Sequence, residues 1–137
     1  MRGMTRVCGM VAAVVGILMV QQARAEETPE ETLAKESAAK CAETAKDKPT
    51  PKMIIDKVNA AATLIEKDGE AAFPKFKGKD SEFLFSGTYV WIHNLDGVML
   101  VHPIKPKMEG KNQLNLKSPD GKMIFTDMNK LVEEKGA

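Results

Sequence analysis

Every histidine, tryptophan and tyrosine of the chain falls in one short stretch: Tyr89, Trp91, His93 and His102. A phenol, an indole N–H and an imidazole each join an apolar body to a polar tip, so Tyr89, Trp91 and His102 read as a group that walls a small-molecule pocket, while His93, beside the turn, reads as a residue ending the core near the surface. Other chemistries fit less well. Two histidines without a carboxylate or thiol at ligand spacing do not make a zinc site. The chain has no G-x-S-x-G, no H-E-x-x-H and no nucleophile beside a base, so we expect neither an enzyme nor a bound cofactor. Asn94-x-Asp96-Gly97 resembles the start of a calcium loop, but the twelfth position, where a glutamate is needed, is Lys105. It reads instead as a tight turn. Cys41 is the only cysteine outside residues 1–25, which leaves a small apolar helix residue or an intermolecular disulfide.

The aromatic residues need elements to hold them. Thr88–His93, rich in β-branched and aromatic residues, predicts a strand, Asn94–Gly97 a hairpin turn and Val98–His102 the return strand. Alternation along the hairpin places Tyr89, Trp91, His93, Val98, Leu100 and His102 on one face. Thr88, Val90, Ile92, Met99 and Val101 share the other, which is aliphatic and suits packing against a helix. That helix is predicted from Pro51 to Lys67, capped by Thr50, with Ile54, Val58, Ala61, Ala62 and Ile65 on its apolar face. Asp68-Gly69 should end it, with a short helical turn over Glu70–Phe76 and a polar loop over Lys77–Ser81. Ser118–Gly121 reads as another turn, and Ile124, Phe125, Met128, Leu131 and Val132 fit a last helix closed by Gly136.

The N-terminal residues read differently. Arg2 and Arg6 precede an apolar stretch from Val7 to Val20, and Ala23-Arg24-Ala25 forms an A-x-A cleavage pattern. These are the parts of a secretory signal, and the apolar run falls short of the roughly 20 residues a span needs. The expected domains are therefore a signal peptide over 1–25, an Ala/Glu/Lys-rich leader over 26–49 and a ligand-binding domain over 50–137. The leader should be helical from Thr28-Pro29 but loosely held, or partly disordered, since Leu33 is its only large aliphatic residue. Without residues 1–25 the chain carries 17 lysines, no arginine and 19 carboxylates, a formal charge of −2. That balance argues against nucleic acid as a partner, and no guanidinium fork is available to grip an anion.

Gly87-Thr88-Tyr89-Val90-Trp91-Ile92, Asn94-Leu95-Asp96-Gly97, His102-Pro103, Gly110-Lys111-Asn112 and Asp120-Gly121-Lys122, in this order and spacing, resemble the single Cache domains of type 2. The similarity covers about Thr50 to Ala137. The resemblance implies an α+β fold, a long N-terminal helix packed on a PAS-like antiparallel sheet with the ligand on the sheet's opposite face. It implies a periplasmic, non-enzymatic sensor module, of the kind found in chemoreceptors, histidine kinases and free-standing exported proteins. The ligand would be small and polar, often a short carboxylate. By matching position Tyr89, Trp91 and His102 would face it, with Lys111 nearby. Family members usually continue beyond Gly136-Ala137 into a Gly-Trp-Val-x-Tyr strand and its partner. The last strands are therefore expected to be missing, leaving Thr88–His93 with an open edge. With no span after signal cleavage and no output domain, the partners implied are a small ligand and a membrane receptor or second copy. The rival expectation is an exported subunit that pairs through its helix or sheet edge.

Overall fold

The computed structural model describes residues 26–136; the signal-peptide reading lies outside them. Three helices, α1 (Pro29–Thr44), α2 (Pro51–Asp68) and α3 (Ile124–Lys135), surround two small antiparallel two-stranded sheets. The result is mixed α+β and mostly helical. One sheet pairs β1 (Leu84–Phe85) with β2 (Thr88–Tyr89), and the other pairs β3 (Ile92–His93) with β4 (Met99–Val101).

The helix ends follow local chemistry. At α1 the Thr28 hydroxyl accepts the Glu31 amide while the Glu31 carboxylate accepts the Thr28 amide, and Pro29 opens the helix. Thr50 caps α2 in the same way through the Met53 amide, again with proline first. Gly69 closes α2, and a 3₁₀ segment, Gly69–Phe76, turns the chain back under it. Gly136 closes α3 at φ +74°, as expected for a left-handed terminal residue.

The core forms where that segment meets the sheets. Phe76 and Phe83 stack at 4.3 Å, and Ala61, Ala72 and Val101 complete the buried cluster. Leu64, Ile65, Val90 and Ile92 pack around it, so the aliphatic hairpin face does meet α2. Only the C-terminal half of α2 is used, however. Ile54 and Val58 are 43% and 50% exposed, and Ala62 is exposed as well. The predicted apolar stripe continues beyond the surface that covers it.

Two further expectations are revised. The leader is docked, not loose: the buried Ser37 hydroxyl accepts the Gly78 amide at 2.7 Å and donates to the Leu33 carbonyl at 2.8 Å. At the other end of α1, Thr44 accepts the Gly87 amide. Gly87 sits at φ +73°, and a Cβ there would lie 2.9 Å from that of Ala45. A helix with little apolar surface is thus anchored by hydroxyls that the apolar pattern does not weigh. The second revision concerns the predicted strand Thr88–His93, which is interrupted at Val90 and Trp91. Its first half pairs backward with β1 through the Ser86-Gly87 turn, and its second half pairs forward with β4.

Candidate functional site: an aromatic cleft

The break in that strand sets the geometry. Tyr89 leaves β2, Trp91 lies in the gap and His93 ends β3, and all three line one cleft of about 380 Å³. Ile54 and Val58 of α2 form a second wall, Phe85 and Thr88 contribute from the β1–β2 hairpin, and Met128 closes the side toward α3. The exposed half of the α2 stripe is therefore a wall of the cleft. Tyr89 and Trp91 meet edge to face at 6.4 Å, and Phe125 of α3 approaches Trp91 at 6.3 Å. These spacings suit interacting aromatic pairs and hold the rings upright along the floor.

His93 is fixed from two sides. Its ring stands edge-on to Phe125 at 5.0 Å, and Nε2 lies 3.1 Å from Oδ1 of the buried Asn129. The Asn129 amide nitrogen donates to the Leu95 carbonyl, so Oδ1 must accept and His93 Nε2 must donate. Asn129 thereby ties α3 to the hairpin turn. Gly97 shapes that turn: at φ +79°, it brings its backbone so close to Leu114 that a Cβ would lie 2.4 Å from Cγ. The alternation rule grouped His93 with Val98, but the structure pairs it with Met99, because the register shifts between Ile92 and His93. One irregular residue reverses the parity of everything beyond it.

His102 does not line the cleft. It is buried behind Tyr89, at 6% exposure, with the two rings 5.2 Å apart. Nε2 lies 3.5 Å from the Tyr89 hydroxyl, while Nδ1 accepts the amides of Lys105 at 3.0 Å and Ile104 at 3.4 Å. Its own amide donates to Glu109, whose carboxylate forms a half-buried ion pair with Lys77 at 2.6 Å. Burial, with Lys105 next, holds the imidazole pKa below its ordinary value; burial and the neighbouring Cys41 raise that of the Tyr89 phenol. Lys111 is exposed on the loop after Gly110, where its carbonyl accepts the Met99 amide, and it is not a lining residue of the cleft. Of the four residues singled out, the structure brings Tyr89 and Trp91 to the cleft, sets His102 behind it and leaves Lys111 apart.

A larger groove of about 730 Å³ runs between α1 and the 3₁₀ turn Pro106–Met108. Glu27, Glu31, Lys35, Lys105 and Lys107 line it, charges of both signs exposed to water, and we place no site there. The two histidines, held by different partners, do not converge on one point. Among the described residues no group of three or more histidine, cysteine, aspartate or glutamate side chains could hold a metal ion. No helix among them is long and apolar enough to cross a membrane.

Residues 79–137 match the Cache domain family. No solved structure matches the chain. The matched segment holds the two sheets, the aromatic residues and α3, and leaves out α1 and α2. Cache domains are sensor domains, typically extracytoplasmic, that bind small ligands.

Proposed function

We propose that this chain is a periplasmic small-molecule-binding module, free of catalytic activity, whose ligand occupies the cleft walled by Tyr89 and Trp91. The observation that carries this reading is the coincidence of two lines. The segment that matches a sensor family contains the aromatic wall, and that wall faces a partly enclosed, apolar space.

The lining points to the ligand's chemistry. A short carboxylate was what the family resemblance implied, with Lys111 nearby, yet no lysine lines the cleft. Burying an anion against Ile54, Val58 and Met128 without a cation would cost several kcal/mol. The favoured ligand is therefore small and neutral, with a flat or aliphatic body against Trp91 and one or two polar groups for Thr88, Tyr89 and His93. Calorimetric titration of the protein with neutral and carboxylate compounds matched in size tests this. Neutral compounds should bind, and Trp91→Ala should weaken them about tenfold or more. Carboxylates binding equally well to Trp91→Ala and the parent protein would sink the assignment.

Export rests on residues 1–25. Amino-terminal sequencing of the protein from a periplasmic fraction should begin at Glu26.

A second reading is favoured by one observation: Met53, Ile54, Ile55 and Val58 form a run of exposed apolar side chains along α2. Such a face suits an exported subunit that pairs with a partner through this helix.

A further inference from the structure

We propose that His102 is a positioning residue for the cleft, and that its protonation releases Tyr89 and so couples the cleft wall to pH. The inference rests on the cleft being the ligand site, but its test needs no ligand.

The donors around the ring decide where its protons sit. Two backbone amides, of Lys105 and Ile104, point at Nδ1, so that nitrogen must present its lone pair. A neutral imidazole then carries its proton on Nε2, directed at the Tyr89 hydroxyl 3.5 Å away. His102 thus does two tasks with one ring. It closes the turn after Pro103 and holds Tyr89 from behind, while Tyr89 presents its other side to the cleft.

A second proton is poorly placed in this arrangement, although a hydrogen bond to the residue's own backbone favours it. It would bind Nδ1, where two N–H groups already converge, so an imidazolium cannot keep the ring in place. The charged neighbours do not rescue it. Lys105 and Lys77 oppose the added charge. Glu109 favours it, but its carboxylate already serves Lys77 and the His102 amide. From α1, Cys41 lies near Tyr89, and its thiolate would form at high pH rather than low; Glu30 lines a groove with Lys77 and Glu109, and Glu31 and Lys35 line one with Lys105, none of them bonded to the ring. Protonation therefore forces the ring out of its pocket. The long link to Tyr89 breaks first, and the Tyr89 ring loses its support on the side away from the cleft.

The test uses the protein's only tryptophan. Trp91 lies edge to face with Tyr89, so its emission reports movement of that ring. Long-range proton–nitrogen correlation spectra at about pH 7.5 should show the His102 ring, assigned by the loss of its signals in His102→Asn, protonated at Nε2 and bare at Nδ1. As pH falls toward about 5, Trp91 emission should pass through a transition with the same midpoint as that histidine. His102→Asn replaces Nδ1 by an oxygen that can accept the same amides and does not titrate. The transition should vanish in that variant and persist in His93→Gln. A His102 protonated at Nδ1, or a transition that survives in His102→Asn or disappears in His93→Gln, would overturn the proposal. The tautomer is measured on the parent protein, so a poorly folding variant leaves the question decidable. Failure of every compound to bind would count against the cleft as a ligand site without touching this result.

Discussion

At the scale of single residues, the polar tips that buried aromatic and imidazole rings must satisfy shape the site. Tyr89, His93 and His102 each meet a partner, and no buried side-chain nitrogen or oxygen is left without one among the described residues. The titration of His102 has a consequence for stability. Its pKa is lower in the fold than the ordinary 6.5, so the unfolded chain takes up the proton first as pH falls. The contribution is therefore complete above about pH 6.5 and is lost as pH drops through the folded value. The urea midpoint should fall between about pH 7.5 and 5, and fall less in His102→Asn. Asp68 and Asp120, whose pKa values are lowered chiefly by Lys75 and Ser118 respectively, titrate below this window and do not confuse it. Tyr89 and Trp91 were legible as a pair because they lie two apart in an extended segment. His102 was assigned to the same face by alternation, which has no information about depth. The ring shares their neighbourhood but stands behind them.

At the scale of elements, docking depends on a few hydroxyls and close backbone approaches. Ser37 shows this for α1, whose sequence offers almost no apolar surface. Its hydroxyl bridges the helix to Gly78 across 41 residues of chain. Ser37→Ala should destabilise the protein by about 1–3 kcal/mol, because the buried Gly78 amide loses its acceptor. Chemical denaturation measures the cost, and faster hydrogen exchange along α1 should accompany it; an unchanged midpoint would mean that the helix is held by other contacts. Asn129 plays the corresponding part for α3, between His93 and the Leu95 carbonyl. The helices themselves were readable from Thr28-Pro29, Thr50-Pro51 and the spacing of Ile124 to Val132. Ser37 and Asn129 were not, since a polar residue on a polar helix gives no sign that a distant backbone or ring will meet it.

For the molecule as a whole, the unbalanced feature is the N-terminal half of α2. Its apolar side chains reach the edge of the cleft and then continue into solvent, with Ile55 58% exposed. The binding-module and subunit readings divide here. Ile55 is not a lining residue, so Ile55→Lys should leave small-molecule binding and thermal stability nearly unchanged, within about 0.5 kcal/mol. If the subunit reading holds, the same substitution lowers any concentration-dependent association seen by sedimentation. Monomeric behaviour of the parent protein at every accessible concentration would instead favour the binding module alone.

Sequence alone determined what is set by near neighbours. Caps, helix periodicity and the glycine turns at 69, 97, 121 and 136 depend on residues three or four apart, and each falls at its expected place. Tyr89 and Trp91 lie side by side at one cleft, and the segment that holds them matches the Cache domain family. The tertiary structure alone decided which groups meet across long separations. It broke Thr88–His93 into two pairings and reversed parity at the Ile92–His93 irregularity. It put His102 behind Tyr89 and left Lys111 outside the cleft. The physical reason is common to the first three outcomes. A side-chain period of two assigns faces only while the ladder stays regular, and a single bulge or a docked helix changes which face is inside.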